Sequence, residues 1–481
     1  MENSKTPKIL SKLDGFFGIT KSGSNFKTEI IAGITTFMTM VYILMVNADM
    51  FSEAWVGPSY GAMYIATSIG AIVGTLLMAF LAKMPLAQAS GMGINAFIVY
   101  TLLLNGSGLT YANCMMFTLL EGIIFIALTV TGLRKQIFEA IPSPVRKAIG
   151  VGIGLFIAFI GFQQAGVIVN DDSTLVKLVS FNLLDKNTSI VALFAPICAI
   201  AGVIFIAVLS KKNVKGSILW GILGSAVLYY VLNAIGYIAG DAACVALFEQ
   251  ISFANPLNAF GDWGSQSAGK IFTEGFNFAG FTGGTGSLVL IIATTALSLC
   301  MIDMFDTIGT LYGACSRGNL LDANGTPLNM NKCMLADAIA TCAGAIGGTS
   351  TVTTFVESSA GVAAGGKTGM TALVTGICFI IAMFLSPIAQ LIPRCATASA
   401  LVWVGVLMMN GISKVDWSDA VEALVAFTTF IVMCLGYSIN KGIGAGMVAY
   451  VLVKLFTGKI KDISIPTWVI SIIYIATFFL T

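Results

Sequence analysis

The chain has 481 residues, 57% of them apolar and only 10% charged, with 25 Lys+Arg against 23 Asp+Glu. A water-soluble core cannot absorb that much apolar surface, which excludes a soluble enzyme, and disorder demands the opposite composition. A net charge of +2 offers no basic surplus for nucleic acid. The class is a multi-span membrane protein.

The chain opens on a cytoplasmic segment (1–27) with five lysines and no apolar h-region, so no cleavable signal peptide is expected. Apolar stretches follow near 28–51, 62–82, 88–104, 113–132, 146–169, 188–209 and 215–239. A polar, Gly-rich linker covers 240–285. A second set lies near 286–313, 331–349, 354–367, 369–392, 396–412, 419–438 and 441–457. At about 20 residues per span, fourteen spans take about 280 residues, which the chain supplies with loops to spare. The last apolar piece, 466–480, is short; it can span, lie in the interface or pair with the preceding segment as a hairpin.

Numbering the fourteen stretches as segments 1–14 and placing the N-terminus in the cytoplasm puts 20 of the 25 basic residues on the cytoplasmic side. Lys83, Arg134, Lys135, Arg146, Lys147, Lys367 and Lys414 are among them, and the outer side keeps Lys177, Lys186, Lys270, Arg394 and Lys441. The spans divide as seven and seven about the linker (28–239 and 286–457). An odd number per half reverses the orientation of the second, the arithmetic of an inverted repeat. Matching small-residue motifs support it: Lys215-Gly216-Ser217-Ile218 with Lys441-Gly442-Ile443-Gly444, and Ser90-Gly91-Met92-Gly93 with Ser358-Ser359-Ala360-Gly361.

Segments 3 and 10 are short, interrupted and rich in Gly, Ser and Thr. Such segments at matching places in two halves point to a mid-membrane binding site. The β-rich run Ser350-Thr351-Val352-Thr353-Thr354-Phe355 precedes segment 10, and Pro85-Leu86-Ala87-Gln88-Ala89 precedes segment 3. An extended piece followed by a half-helix is expected in each. Extended backbone at that depth needs a partner inside the protein, which two such pieces can give each other.

Histidine is absent, so proton chemistry falls to carboxylates. Acidic groups in mid-membrane are costly and mark function by default. Glu357, Asp306 and Asp303 are the foremost candidates; Asp337 and Glu121 read as packing carboxylates bonded to Ser, Thr or backbone. Asp303 and Asp306 are three apart, and like charges so placed in low dielectric favour keeping a proton on one of them. Asn95, in Gly91-Met92-Gly93-Ile94-Asn95-Ala96-Phe97, offers a donor and an acceptor. Phe305 and Phe355 flank the two leading acids, a pairing suited to a flat heterocycle that stacks and is read at its edge. The Gly-rich run 361–367 reads as helix packing, with Lys367 reaching the interface. No Gly-x-x-x-x-Gly-Lys-Ser/Thr phosphate loop occurs, which argues against ATP-driven pumping. The ten cysteines form no CxxC pair, and Cys198, Cys300, Cys342, Cys378 and Cys434 read as small buried hydrophobes.

Four stretches together resemble the guanine/hypoxanthine permeases, the purine branch of the xanthine/uracil permease superfamily. They are Thr35–Leu44 (TTFMTMVYIL), Gly91–Ala96 (GMGINA), Phe305–Thr310 (FDTIGT) and Thr351–Gly361 (TVTTFVESSAG). The resemblance implies an all-α polytopic fold of fourteen segments in two inverted repeats of seven, with short antiparallel strands in segments 3 and 10. It also implies a core domain (segments 1–4 and 8–11; 28–132 and 286–392) and a gate domain (segments 5–7 and 12–14; 146–239 and 396–457). By motif, Asp306 and Glu357 look like the substrate carboxylates and Asn95 like the segment 3 contact. Thr310 falls where the uracil and xanthine branch carries a polar residue. That branch's Gln-x-His motif in segment 1 is missing, which argues against uracil or xanthine as main substrate.

The expectation is a proton-coupled importer of purine nucleobases (guanine and hypoxanthine, with adenine as a further candidate) in the plasma membrane. It works by alternating access, not as an enzyme, and uses no cofactor. The proton is the coupling ion, with sodium as the alternative. Glu357 accepts hydrogen bonds from one edge of the purine, and Asp306 holds another edge or carries the proton, with Asp303 second. Backbone N–H groups of Val356 and Ser358 complete the site. A homodimer through the gate domain fits the resemblance. The competing readings are an anion carrier or channel of the same architecture, which needs a basic residue near segments 3 and 10 where only Lys367 is visible, and a membrane-embedded hydrolase, for which only an Asp pair is available.

Overall fold

A computed structural model of the chain describes residues 8–52, 57–104, 108–132, 141–182, 189–250, 255–323 and 325–480. Lys5, Arg134, Lys135 and Lys186 lie outside the described residues. The protein is mostly helical, and fourteen segments appear in the expected order. Among the described residues, nine helices are long and apolar enough to cross a membrane: Phe26–Phe51, Tyr60–Ala82, Tyr111–Thr131, Ser143–Gln164, Val191–Lys211, Ser217–Ile238, Thr285–Arg317, Arg394–Lys414 and Ile439–Phe456. They are segments 1, 2, 4–8, 12 and 14. Segments 11 (Gly369–Met383) and 13 (Ala420–Leu435) are shorter helices, and segment 9 spans Met330–Gly347.

Segments 3 and 10 are the exceptions, and they are built alike. Strand β1 (Gln88–Ser90) leads into a short helix, Met92–Ala96, and strand β4 (Val352–Thr354) into Ser358–Ala363. The two strands pair antiparallel, with Gln88 opposite Thr354, Ala89 opposite Thr353 and Ser90 opposite Val352. Gly91 N donates to Thr351 O at 3.0 Å and Phe355 N to Ala87 O at 3.1 Å, extending the ladder at each end. The backbone groups stranded at this depth thus satisfy one another. Gly91 is needed for the close approach: a Cβ there would fall 2.9 Å from Thr353 Cγ2.

Segment 1 is broken at Val41 into helices Phe26–Met40 and Tyr42–Phe51. The threonines of its motif bond back to the helix just before the break. Thr35 Oγ1 donates back to Ile31 O at 2.7 Å and Thr39 Oγ1 to Thr36 O at 2.8 Å, and such back-bonding bends helices. Segment 8 has 33 residues, about 50 Å at 1.5 Å per residue, so it tilts or projects beyond a hydrocarbon core of about 30 Å.

Helices pack in two sets. Segment 5 packs on 12, 13 and 14, and 13 packs on 14, with 6 and 7 packed on each other and on 12. Segment 11 packs on 1 and 2, and segment 9 on 2 and 4. Segment 8 touches both sets. The run 361–367 behaves as expected: a Cβ at Gly361 would meet Thr36 Oγ1 and Ala32 O. Lys83 Nζ donates to Phe16 O at 2.9 Å and Lys367 Nζ to Ser22 O at 3.2 Å, so the N-terminal stretch lies beside two of the lysines assigned to its side.

Two regions carry more structure than the sequence suggested. The linker forms helices Ala242–Gln250, Pro256–Gln266 and Lys270–Thr273, the second of which packs on segment 2. It is fastened by Ser59 N to Gln266 Oε1 at 2.7 Å, Trp263 Nε1 to Gly347 O at 2.8 Å and Asn113 Nδ2 to Gly275 O at 2.9 Å. The loop after segment 5 forms a hairpin of β2 (Ile168–Asp171) and β3 (Leu175–Leu178). Its Asp171 accepts from Lys177, Ser173 and Thr174, which hold its carboxyl well below the usual carboxylate range. The final apolar piece is a helix, Ile465–Leu480, that folds back on segment 14. Its buried Tyr474 seats against Gly444, where a Cβ would come within 2.5 Å of the ring. Of the three arrangements open from sequence, this is the hairpin.

Candidate functional site

A cavity of about 450 Å³ lies between the two packing sets. Segment 8 lines it with Ile302, Phe305, Asp306 and Gly309, and segment 10 with Thr354, Phe355, Val356 and Glu357. Those four share one helical face (i, i+3, i+4, i+7), and Ile308 lines the cavity beside them. Met92 and Gly93 of segment 3 close one wall, and Ile153 and Val404 of segments 5 and 12 lie among the residues opposite.

Both opposing helices show which end is open. Segment 5 contributes from Ser143 to Ile157 and segment 12 from Val404 to Lys414, ends that carry Arg146, Lys147 and Lys414. Beyond the cavity the same helices are bonded to their neighbours. Thr397 Oγ1 of segment 12 donates to Asp49 Oδ2 of segment 1 at 2.7 Å. Gln164 Nε2 of segment 5 donates to Tyr100 OH at 2.7 Å, and Tyr437 OH to Gln163 Oε1 at 2.7 Å. The cavity is therefore open toward the lysines and shut at the other end.

Asp306, Glu357, Phe305, Phe355 and Val356 all line this cavity, so five sequence candidates meet in one place. Tyr42 OH donates to Glu357 Oε1 at 2.7 Å, and Thr39 Oγ1 to Glu357 O at 3.4 Å. Among the described residues none hydrogen-bonds the Asp306 carboxylate.

The other candidates are buried behind it. Asp303 is fully buried on the adjacent face of segment 8, the face of Thr307 and Thr310, with its Oδ1 3.4 Å from Thr307 Oγ1. Thr310 is buried and is not a lining residue. Asn95 is fully buried away from the cavity, where its Oδ1 accepts from Ser90 Oγ at 2.9 Å and from Ser350 Oγ. It joins the ends of the two strand-bearing segments. Ser358 Oγ accepts from Ala87 N at 3.0 Å, and Ser358 N is committed to Phe355 O at 3.1 Å. Ser358 therefore fastens segment 10 to segment 3 and does not offer its N–H to a ligand.

Asp337 and Glu121 brace the strand pair, as packing carboxylates do. Asp337 accepts from Thr307 Oγ1 at 2.9 Å, Gln88 Nε2 at 3.1 Å and Thr354 Oγ1 at 3.3 Å. Glu121 Oε2 accepts from Thr351 Oγ1 at 2.5 Å. Glu29, to which the sequence assigned no role, is fully buried and accepts from Lys367 N, Thr368 N and Thr371 N, capping the start of segment 11. The residues that sequence reasoning missed at the cavity are Tyr42 and the three cations. Tyr42 stood in a noted motif without a role. Arg146, Lys147 and Lys414 come from segments remote in sequence, so the expectation that only Lys367 stood near segments 3 and 10 is corrected. Among the described residues no group of three or more Cys, Asp or Glu could hold a metal ion.

An inverted-repeat bundle with crossed half-helices and a buried, two-carboxylate cavity open to one side defines a membrane transporter. Comparison with known proteins agrees. The chain matches the Permease family profile Xan_ur_permease over residues 27–445 and belongs to that family. It is 36% identical to the guanine/hypoxanthine permease PbuO of Bacillus subtilis, covering 96% of this chain and 100% of that one. It is 34% identical to PbuG of the same organism, a second guanine/hypoxanthine permease, covering 96% and 98%. It is 33% identical to the adenine permease AdeQ of Escherichia coli, covering 98% of each. Among solved structures it is similar to the transmembrane domain of the cyanobacterial bicarbonate transporter BicA, with a TM-score of 0.60 at 14% identity over 86% of this chain and 97% of that one, a likeness of fold. The chain is a multi-pass membrane transporter, not an enzyme.

Proposed function

We propose that the protein imports purine nucleobases, guanine and hypoxanthine foremost and adenine as a further candidate, by proton symport with alternating access. The observation that carries this reading is the meeting of Asp306, Glu357, Phe305 and Phe355 on one cavity. Its volume lies within the range of about 300–1,000 Å³ usual for small-molecule sites. The activities for which PbuO, PbuG and AdeQ are named support a purine as the guest. In this reading Glu357 accepts from ring N–H or exocyclic amine, the phenyl rings stack on the base, and the N–H of Val356 faces another edge. Asp306 takes the coupling proton, with Asp303 as second candidate behind it. Asn95 and Thr310 act at one remove, by holding the strand ends and the inner face of segment 8. Sodium is the alternative coupling ion.

Segments 1–4 and 8–11 form the core that carries the guest, and 5–7 with 12–14 the gate, through which two copies pair. The N-terminus and the open end of the cavity face the cytoplasm of the plasma membrane. The cations at the mouth favour a second reading, an anion carrier. The deciding experiment is uptake of labelled hypoxanthine by cells without purine permeases of their own, with competition by unlabelled bases and by bicarbonate, and with and without a protonophore. Competition by guanine and collapse with the protonophore are expected. Competition by bicarbonate and not by any base would establish the anion reading instead.

A further inference from the structure

The two cavity carboxylates are held differently. Glu357 is tethered: Tyr42, fully buried just past the break in segment 1, gives its phenolic proton to Oε1 at 2.7 Å. Asp306 receives no such bond among the described residues. Tyr42 is not a lining residue, so it reaches Glu357 from behind the cavity wall. A phenol has a single proton to donate. Once it is given to Oε1, it is not available to any other acceptor.

We infer that Tyr42 is a positioning residue that holds the Glu357 carboxylate aimed, so that Glu357 serves as the fixed acceptor for the purine and proton traffic is left to Asp306. This rests on the reading of Glu357 as a substrate carboxylate. A hydrogen bond to the charged form of a carboxylate favours that form. The charged neighbours of Glu357 come from segments 8, 5 and 12. Segment 8 brings Asp306, a like charge, and Arg317, whose guanidinium donates to Ser359 Oγ at 3.3 Å. Segment 5 brings Arg146 and Lys147, the latter paired with Glu422 at 2.5 Å, and segment 12 brings Lys414 at the mouth. Segment 3 contributes the uncharged Met92 and Gly93.

Without the phenolic donor, Glu357 loses the bond that holds Oε1, and both substrate affinity and the acidic limb of the uptake profile move. The test measures KM for labelled hypoxanthine across pH in Tyr42→Phe, alongside a protein carrying 3-fluorotyrosine at position 42. The Phe variant is expected to raise KM about tenfold, the effect of losing about 1.4 kcal/mol, and to move the acidic limb. Fluorotyrosine, a stronger donor of the same shape, is expected to move the limb in the opposite direction. If Tyr42→Phe fails to reach the membrane, the fluorotyrosine protein decides alone. An unmoved limb, or a loss confined to Vmax in proportion to protein level, overturns the assignment. Glu357→Ala serves as the control: normal uptake by it removes the site reading and this inference together. Loss of uptake by Glu357→Ala with no shift on changing Tyr42 removes this inference alone.

Discussion

At the scale of single residues, placement within one helical turn decides which carboxylate meets the cavity. Asp303 and Asp306 are three apart, yet the first is sealed against Thr307 and the second faces the cavity. Glu357→Ala should abolish hypoxanthine uptake while protein still reaches the membrane. Asp306→Asn should retain binding of labelled hypoxanthine but lose accumulation against a gradient, because an amide cannot carry the proton. Full accumulation by Asp306→Asn would place the coupling group elsewhere. Acidic residues inside apolar runs were legible in the sequence because an unneutralised charge there is expensive. Which acids line a cavity was not legible, because that depends on which side each helix turns to its neighbours. Asn95 shows the limit: its donor-acceptor chemistry suits a ligand and an interhelical brace equally well, and packing chose the brace.

Elements were read with more success where local chemistry was unusual. The β-branched run Thr351–Thr354 and the Pro85–Ala89 stretch announced extended backbone inside a helical protein, and the two do pair. The linker helices and the β2–β3 hairpin were missed because short amphipathic pieces outside the membrane have little hydrophobic periodicity to find. The strand pair depends on Asp337, which satisfies three buried donors. Asp337→Leu takes the acceptor from Thr354 Oγ1, at about 1–3 kcal/mol for a buried donor left unpaired, and leaves Gln88 Nε2 with Thr354 and Thr307 Oγ1 with Asp303 and Thr353 as remaining partners. The expected result is a lower midpoint in thermal unfolding of the detergent-purified protein, with weakened substrate protection. Thr310→Val, which alters a buried residue outside this cluster, should leave the midpoint nearly unchanged. An equal loss in both variants would show that Asp337 has no special role in the pair.

For the whole molecule, the arithmetic of seven and seven segments and the inverted repeat were available from span counting, and the fold bears them out. Conformation was not available, since an open end and a shut end are made of the same residues. The shut end is held by bonds between helices, Asp49 with Thr397 foremost, which the proposed alternating access requires to part. Thr397→Val should loosen that end. On a background that retains Cys395 as its sole thiol, a buried site two residues away, labelling by an impermeant maleimide is expected to rise several-fold. An unchanged rate would show that the seal lies with Tyr100, Gln164 and Tyr437. Uptake profiles on both sides of pH 7 then separate loosening of the gate from damage to the carboxylates, because only the latter moves the acidic limb.

The paired strands also constrain how the chain is made. Gln88 and Thr354 lie 266 residues apart, so when the ribosome has inserted the first half, the partner of β1 has not yet been synthesised. Until it arrives, the peptide groups of β1 have no permanent partner in the bilayer interior, where unsatisfied backbone is not tolerated. The first repeat must therefore wait, hydrated or guarded by the insertion machinery, and neither repeat is a folding unit in its own right. Chains severed within the linker should yield stable protein only when both fragments are translated in the same cell.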